Sequence, residues 1–467
     1  MEKIRLQAGA AKAVISPKAD MLPLELAFAH TEYGAVREGE DIHVRALVLD
    51  DGNKLFLLES FELGGVPLPD QLHKRIRERF GIERKDALLT ATHNHNGPQP
   101  FGNMYPGQKT DTGIKAELYR DNQKRWTDYV MDQAITVIEE AISHLRPAKY
   151  GFGEDICHIN INRDELYDDG YWMQGQNWDG CSDKTLAVIK FTDDEDKLIA
   201  AVVNYAVHDQ INFCSPDTDG IVKVTCGMCG ITSQWLENYF GNDAVVLWQS
   251  GAAGNQNPYA TALKSRRFDS NGTFYSDSKL SVPGTSYRLS ISLGEQQAAD
   301  ALRALKKTRA DREYMRIKTA DHMVEFPGQK FPEGIDRAYH RLMVDNLLVG
   351  RGYFKPGEAY EKKLAEMIPT DEKVPMRQQL VILGDIAVVG IGGELYNEIG
   401  VLCKEKSPYR KTMITTHIGY PSVGYILDDD SKDRKVFQSF GRIRAGESNE
   451  IVVKGMLKLF DETLTDE

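Results

Sequence analysis

Three pairs of apolar runs, each joined by a turn, constrain what this chain can fold into. The first pair, Arg45–Leu49 and Lys54–Glu59, flanks Asp51-Gly52-Asn53, and an Asp-Gly turn between two such runs predicts a β-hairpin. The same pattern recurs over residues 186–207 and 379–391. Helical stretches separate the pairs. Alternating strands and helices predict an α/β fold, with a mixed β-sheet core flanked by helices.

Helical periodicity marks the segments between and after the hairpins. Helices are predicted at Pro69–Phe80, 113–145 (one helix or two), 231–240, 290–306, 337–367 and 451–460. The stretch 149–180 has no such periodicity and is rich in Asn, Asp, Gly and aromatic residues, so we expect an irregular and functional loop. The sequence shows no internal repeat, low-complexity tract or linker. A single domain over residues 1–467 is therefore predicted.

Composition restricts the classes of partner. The net charge of −12 over 467 residues disfavours binding to nucleic acid or to an anionic membrane, because both need a basic surface. No apolar run approaches the roughly 18 residues of a membrane span, and the first residues lack a signal sequence. We expect a cytoplasmic protein with a small-molecule substrate, no nucleic-acid partner and no stable membrane association. Whether it forms a homo-oligomer is left open.

The six cysteines are too few and too scattered for a disulfide scaffold. Cys226-Gly227-Met228-Cys229 has the spacing of a redox or zinc pair, but no second pair exists to complete a four-cysteine zinc site. Free cysteines are commonly buried. The sequence therefore predicts ordinary reduced thiols here.

Polar residues of the ligand type follow several of the apolar strands. Such residues occur at His93 and His95, His208, Gln249–Asn257, Glu394 and Tyr425. Strand ends hold side chains rigidly and loops expose them, as a catalytic site requires. Because Gly97-Pro98 interrupts the strand after His93 and His95, spacing alone does not show that both bind one ion. One imidazole can bind a metal while the other handles a proton or a substrate oxygen.

These residues also carry a resemblance to a known family. Thr92-His93-Asn94-His95-Asn96-Gly97-Pro98 resembles the Thr-His-Thr-His-Ser-Gly-Pro motif of the neutral, or non-lysosomal, ceramidases. Supporting matches follow in the family's order at residues 41–46, 160–163, 204–208, 251–258, 393–394 and 423–425. The resemblance covers nearly the whole chain but only the family's catalytic domain, without the C-terminal immunoglobulin-like domain. It implies a ceramidase-like fold with a metal site at strand ends.

The resemblance implies a zinc site and places its ligands at His93, His208, Glu394 and Tyr425. Two imidazoles, a carboxylate and a phenolate suit Zn²⁺, although Mn²⁺ or Fe²⁺ stays open. The phenol of Tyr425 normally loses its proton near pH 10, so the metal would have to lower its pKa. Without the resemblance, His208 and Tyr425 would read as ordinary core residues.

Further roles follow from the same resemblance. His95 matches the family's second histidine and would act as general acid and base or hydrogen-bond the scissile carbonyl. Arg163 matches a substrate-binding arginine and would bind an oxyanion or carboxylate, and a salt bridge to Asp164 or Glu165 is its alternative. Catalytic roles thus fall on His95, Arg163 and Tyr425. Substrate contacts fall on His43, Arg163, Asn255, Asn257 and Phe437.

Two departures from the family bear on mechanism and substrate. Asn257 stands where ceramidases have a serine, and an amide cannot act as a nucleophile of the serine type. Metal-activated water is then the expected attacking group. Phe437 stands where the family has a substrate-contacting tyrosine, and residues 167–178 offer aromatic and amide groups. We therefore expect a small soluble amide, ester or lactone as substrate instead of ceramide.

Two other functions remain compatible with the sequence. The same metal could stabilise an enediolate, as in a lyase or isomerase. The chain could also be a non-catalytic relative that binds a ligand, since the family's serine is replaced by Asn257. Intact metal-binding residues weigh against a pure ligand-binding role.

Overall fold

Three sheets of one shared topology organise the computed structural model of the chain. The structure describes residues 4–25, 32–33, 35–100, 116–166, 172–213, 215–241, 243–260, 266–268, 274–276, 282–329, 372–419, 423–434, 436–440 and 442–464. Each sheet belongs to a continuous segment of the chain, which we call unit 1 (residues 7–143), unit 2 (149–307) and unit 3 (317–464).

Among its described residues, each unit has four main strands and two helices in the order βββαβα. Unit 1 comprises β1 (Gln7–Val14), β2 (His43–Asp50), β3 (Leu55–Phe61), α1 (Pro69–Phe80), β4 (Ala87–Ala91) and α2 (Ala116–Ser143). Unit 2 comprises β5 (Lys149–Ile156), β6 (Thr185–Thr192), β7 (Leu198–Tyr205), α3 (Gly227–Phe240), β8 (Val245–Ser250) and α4 (Thr285–Lys307). Unit 3 comprises β9 (Ile317–Phe326), β10 (Val374–Leu383), β11 (Ile386–Ile391), α5 (Asn397–Lys406), β12 (Lys411–Thr416) and α6 (Ser448–Leu464).

Strand pairing is the same in the three units. The first three strands of each unit are antiparallel neighbours. The first helix then returns the chain so that the fourth strand runs parallel to the third, because only a crossover connection can join parallel strands. The last paired residues are Phe61 with Ala91, Tyr205 with Ser250, and Ile391 with Thr416.

The inner faces of the three sheets share one apolar core. This core includes Leu47, Leu58 and Leu88 of unit 1, Ile189, Val202 and Leu247 of unit 2, and Val381, Val388 and Met413 of unit 3. The outer face of each sheet packs instead under the helices of its own unit. Strands buried on both faces read as continuous apolar runs, as β7 does with all of its residues buried.

The parallel strands β4, β8 and β12 contact one another, so the three sheets meet along these strands. Side chains near the C-terminal ends of β3, β7 and β12 join the sheets. The Ser60 hydroxyl donates to the Trp248 carbonyl oxygen at 2.7 Å, and the Asn204 amide donates to the Ile414 carbonyl oxygen at 2.9 Å. The Thr416 hydroxyl donates to the Gly251 carbonyl oxygen at 2.9 Å. The loops that follow the strands are thereby held together at one end of the core.

Short elements complete the described structure. Strand pairs are Leu24–Glu25 with Glu32–Tyr33, Ala35–Val36 with Lys223–Val224, Arg266–Phe268 with Phe274–Ser276, and Glu394–Leu395 with Tyr425–Ile426. Asn160–Leu166 lies between Trp172–Asn177 and Gln256–Pro258, and Arg146–Pro147 extends the first sheet beside β1. The 3-10 helices are Ala19–Met21, Arg84–Asp86, Asp429–Ser431 and Phe437–Phe440.

The predicted α/β fold with a mixed sheet core and flanking helices is confirmed, as are the three hairpins β2–β3, β6–β7 and β10–β11. The expectation of an irregular stretch at 149–180 is wrong: β5 and the pair Asn160–Leu166 with Trp172–Asn177 occupy it. β5 pairs with β6, and Asn160–Leu166 also pairs with Gln256–Pro258; local periodicity does not report such distant partners. The predicted helix at 337–367 lies outside the described residues.

Although the sequence shows no internal repeat, the architecture is repeated: the βββαβα order occurs three times among the described residues. Each unit requires only apolar strands, two helices and turns, and many residue combinations satisfy that pattern. Among the described helices, none has the length and apolar character needed to cross a bilayer.

Candidate metal centre

The candidate ligands lie beyond the ends of the parallel strands. His93 follows β4, His208 follows β7 and Glu394 follows β11. Tyr425 lies in a short strand paired with Glu394. Since β4, β8 and β12 are neighbours, the loops of all three units supply groups to one place.

His208 and Glu394 occupy equivalent positions, since each follows the third strand of its unit by the same interval. The corresponding residue of unit 1 is Gly64, whose carbonyl oxygen lies 2.8 Å from Nδ1 of His93. The same position thus supplies the imidazole of His208 in unit 2 and the carboxylate of Glu394 in unit 3. In unit 1 it supplies the Gly64 carbonyl, which orients the imidazole of His93.

The backbone of His93 is held in the left-handed region, with φ of 61°. This conformation costs a non-glycine residue about 1 kcal/mol or more, so its surroundings must hold it. The Asn94 N–H donates to the Leu63 carbonyl oxygen at 3.1 Å, and the His95 N–H donates to the Asp209 carbonyl oxygen at 2.9 Å. The turn directs the buried His93 ring towards His208 and Glu394.

His93 and His208 direct their Nε2 atoms at the same carboxylate oxygen. Oε2 of Glu394 lies 3.1 Å from Nε2 of His208 and 3.4 Å from Nε2 of His93. Nδ1 of His208 lies 2.5 Å from the Ala253 carbonyl oxygen. All three side chains are buried, with relative side-chain exposures of 3% for His93, 0% for His208 and 6% for Glu394.

These hydrogen bonds determine which ring atoms carry protons. A carbonyl oxygen only accepts, so Nδ1 of His93 and Nδ1 of His208 are the donors. In neutral imidazoles both Nε2 lone pairs then face the carboxylate of Glu394. Burial, followed by the charge of Arg163, lowers the pKa of His208 to about 3, which keeps this ring neutral. Electron pairs on two nitrogens and one oxygen converge without a proton between them, a donor set that a cation would satisfy.

His95 lies beside the same centre. Ligand atoms of His93, His95 and His208 all lie within 4.8 Å of one another, close enough to share a metal ion. The His95 ring packs edge-on against His93 and against Phe213, at centroid distances of 4.8 Å and 5.3 Å. Two overlapping donor sets are therefore available: three histidines, or two histidines with Glu394 and Tyr425.

Arg163 connects Tyr425 to the loop that follows β8. Its guanidinium donates to the Gly254 carbonyl oxygen at 2.5 Å, to the Tyr425 hydroxyl at 3.1 Å and to Oδ1 of Asn257 at 3.3 Å. The neighbouring carboxylates have other partners: Asp164 accepts from Gln438, and Glu165 accepts from the Gln176 N–H. Arg163 is fully buried, so its charge is placed rigidly beside Tyr425.

The phenol of Tyr425 is protonated in the metal-free site. Burial raises its pKa, and the nearby carboxylate of Glu394 raises it further. For Glu394 itself, burial opposes ionisation, but a proton on Nε2 of His93 or His208 would outweigh burial and hold the pKa of the carboxyl well below its ordinary value. In that state Glu394 is ionised, while Tyr425 would need a cation to become a phenolate.

The remaining predicted substrate contacts lie in different surroundings. The backbone N–H of His43, at the start of β2, donates to Glu62 at 2.7 Å. The Asn255 side chain donates to Glu398 at 2.7 Å and accepts from the Asn397 N–H at 3.0 Å, so it anchors the start of α5. Asn257 bonds Arg163 and Gln210. Phe437 lies in a 3-10 helix, and its side chain falls outside the described part.

His417 is a residue of this centre that the sequence analysis missed. It follows β12 directly, and its ring stacks on that of His93 with a centroid distance of 3.9 Å. The strand before it, Lys411–Thr416, has only two apolar residues, Met413 and Ile414. The pattern of an apolar run before a histidine, which identified His93 and His208, is therefore weak at His417, and no family match singles it out.

Gly254 is required for the close approach of two loops. A Cβ atom at this position would lie 2.5 Å from the backbone oxygen of Glu394, a separation that van der Waals repulsion forbids. The Gly254 N–H donates to the Leu395 carbonyl oxygen at 2.7 Å. Absence of a side chain thus lets the Arg163-binding loop pack directly against the strand that carries Glu394.

Comparison with known proteins identifies the fold. No protein-family model matches the chain, and no curated protein sequence matches it. The crystal structure of neutral ceramidase from Pseudomonas aeruginosa superposes with a TM-score of 0.68 at 14% identity, covering 98% of this chain and 74% of that chain. A ceramidase complexed with C2 gives the same TM-score and identity, covering 98% of this chain and 76% of that chain. At this identity the likeness shows a ceramidase-like fold.

Proposed function

We propose that this chain is a zinc-dependent hydrolase that cleaves an amide bond, or an ester or lactone, in a small soluble substrate. The observation that carries the proposal is the convergence of Nε2 of His93, Nε2 of His208 and Oε2 of Glu394, with both Nδ1 atoms bonded to backbone carbonyls. Histidines that bind metals in proteins commonly donate their second N–H in this way. The ceramidase-like fold supports the hydrolase assignment.

In this proposal His93, His208 and Glu394 hold the zinc ion with Tyr425 as the fourth ligand. When bound, zinc polarises the substrate carbonyl and activates water. His95, beside His93 and His208, moves the proton from the attacking water to the leaving nitrogen or oxygen. Arg163 orients the substrate carbonyl and donates to the Tyr425 oxygen, which favours the phenolate form of Tyr425.

Asn257 has a supporting role in the same proposal. Its side-chain oxygen accepts hydrogen bonds from Arg163 and Gln210, and an amide supplies no nucleophile. The expected reaction therefore proceeds without an acyl-enzyme intermediate. Hydrolysis in heavy-oxygen water should place the label in the acid product. A substrate that is converted without label uptake would contradict hydrolysis and favour the lyase or isomerase chemistry.

The decisive experiment is elemental analysis of the purified protein beside Glu394→Ala, His208→Ala and His95→Ala. About one zinc per chain is expected, lost in the first two variants and retained in the third, because a four-ligand site needs each of its ligands. His158→Ala is the control, since His158 is exposed and lies outside the centre. Zinc lost in His95→Ala but kept in Glu394→Ala would assign the three-histidine set. A protein that takes up no metal would contradict the proposal.

The same proposal treats residues 1–467 as one catalytic domain that acts in the cytoplasm on a small molecule. Ceramide is not its expected substrate. Screening soluble amides, esters and lactones beside short-chain ceramide tests this choice directly. Turnover of ceramide with no turnover of any polar substrate would contradict it.

A further inference from the structure

Arg434 stacks on an aromatic ring that borders the same apolar cluster as Tyr425. Its guanidinium lies over the ring of Trp172, 4.7 Å from the ring centroid, and both side chains are half-buried. Within the described part of the chain, the Arg434 side chain makes no hydrogen bond or ion pair. Its backbone N–H donates to the Ser431 carbonyl oxygen at 3.0 Å, which fixes the position of its Cα atom.

This pair is connected to the candidate centre through a small apolar cluster. Trp172 and Tyr425 both pack against Tyr396, Leu427 and Val436. Tyr425 in turn receives a hydrogen bond from Arg163. Trp172, which carries Arg434, and Tyr425 of the candidate centre thus border one apolar cluster.

The ionisation of the Asp164 carboxyl responds to the charges of both Arg163 and Arg434. It is fully buried, and its Oδ1 atom accepts from the Gln438 amide at 2.9 Å. Burial raises the pKa of Asp164 above its ordinary value. Because burial disfavours the charged form of Asp164, this carboxyl compensates the charge of Arg434 only in part.

A guanidinium stacked on an indole ring is suited to bind a planar anion. Stacking fixes the plane of the guanidinium and leaves its N–H groups free at the edge, where a carboxylate can accept two parallel hydrogen bonds. We propose that Arg434, held on Trp172, binds a carboxylate group of the substrate. The substrate class is then a small amide or ester that carries a carboxylate besides its scissile carbonyl. The scissile bond of this substrate class rests on the proposed function, whereas carboxylate binding by Arg434 does not.

The inference can be tested by binding, without turnover. Suitable probes are 4-oxopentanoate, a ketone with a carboxylate and no cleavable bond, and its neutral amide, 4-oxopentanamide. A phosphonate of the same length distinguishes a phosphate-type anion from a carboxylate. Dissociation constants are measured by NMR titration on the purified, metal-loaded protein. The carboxylate probe should bind about tenfold tighter than the amide, as expected for a charge-assisted hydrogen bond.

Two variants locate the effect. Arg434→Gln should bind both probes equally, while Arg444→Gln should keep the preference for the carboxylate. Arg444 is the matched control, because it is 60% exposed and pairs with Glu447. Equal melting temperatures for both variants and the parent protein show that the folds are intact. Equal binding of the two probes by the parent protein would overturn the inference. Retention of the preference in Arg434→Gln would also overturn it, since the carboxylate would then bind elsewhere.

The phosphonate separates the remaining anion class. If the phosphonate binds at least about tenfold tighter than the amide while the carboxylate does not, the carboxylate assignment is wrong. Failure of the proposed hydrolase function has a different signature. A protein with no turnover of any amide or ester, but with a carboxylate preference lost in Arg434→Gln, keeps the Arg434 site and loses the reaction. If the protein turns over only neutral substrates and shows no carboxylate preference, the hydrolase function stands and the inference about Arg434 fails.

Discussion

The imidazole of His417 lies flat on that of His93, with ring centroids 3.9 Å apart and planes 11° from parallel. Both residues have left-handed backbones, with φ of 57° at His417 and 61° at His93. Burial, and secondly the nearby His93, lower the pKa of His417 well below its ordinary value. The His417 ring is therefore neutral where it stacks on His93. His417 thereby covers one face of a candidate metal ligand.

We predict that His417→Ala weakens zinc binding about tenfold, because groups that orient a metal ligand contribute 10- to 100-fold to affinity. His417→Phe keeps a stacked ring and should bind zinc within about threefold of the parent protein. Competition with a chromophoric chelator measures both affinities. His158→Ala, at an exposed position, is the control. Complete loss of zinc in both His417 variants would instead make His417 a direct ligand.

Asn257→Ala should lower kcat by less than about tenfold, since its side chain positions Arg163 and does not attack the substrate. The expected reaction has no acyl-enzyme, and mass spectrometry of the protein during turnover should show no added mass. In contrast, His95→Ala should lower kcat by about 1,000-fold or more, because its imidazole transfers the proton. If Asn257→Ala and His95→Ala are equally impaired, the amide takes part in the chemistry.

Glu398 should make stability depend on pH between about 4.5 and 7. Burial, followed by the charge of Asp428, raises the pKa of its carboxyl to about 7. A carboxyl whose pKa is higher in the folded state stabilises the fold fully below the unfolded pKa, and this contribution is lost as pH rises through the folded pKa. Relative to Glu398→Gln, the parent protein should lose up to about 3 kcal/mol across this range.

Urea unfolding at several pH values measures this difference. Glu398→Gln preserves the acceptor for the Asn255 amide, which donates to Oε2 of Glu398 at 2.7 Å. The variant should therefore have a flatter profile between pH 4.5 and 7 without loss of the fold. Parallel profiles of the two proteins would show that Glu398 titrates normally.

Thr416→Val should destabilise the protein by about 1 to 2 kcal/mol, because it removes a buried hydrogen bond between two sheets. The Thr416 hydroxyl donates to the carbonyl oxygens of Gly251 and Ser250, at 2.9 Å and 3.2 Å. The neighbouring Thr415 is the matched control. Its hydroxyl is also buried but has no partner among the described residues, so Thr415→Val should be neutral or stabilising. Thermal unfolding of the two variants compares them directly, and an equal loss would contradict the assignment.

The sequence by itself predicted the class of fold correctly and proposed the residues of the centre. Apolar runs joined by short turns, such as Asp51-Gly52-Asn53 and Gly384-Asp385, predicted the hairpins correctly, because turn chemistry is local. The positions of His93, His208 and Glu394 at strand ends were predicted from the same local pattern. Their chemical type, two imidazoles and a carboxylate, indicated a metal before any distance was known.

Only the tertiary structure decided how the three units meet. Their common βββαβα order is invisible in the residues, since each unit fills its sheet with different apolar side chains. The strands at 149–177 also depended on distant partners, as Asn162 pairs with both Asn177 and Gln256. Hydrogen bonds between remote segments carry no local periodicity.

The proximity of the ligands likewise came from the tertiary structure. His93, His208 and Glu394 are separated by more than 100 residues of sequence at each step, and their Nε2 and Oε2 atoms meet only because β4, β8 and β12 pack side by side. The same packing brought His417 over His93. The sequence supplies the donor atoms, and the joining of the three sheets at their parallel strands determines the distances between them. Contacts between remote segments form only when the core packs, so the sequence does not show them.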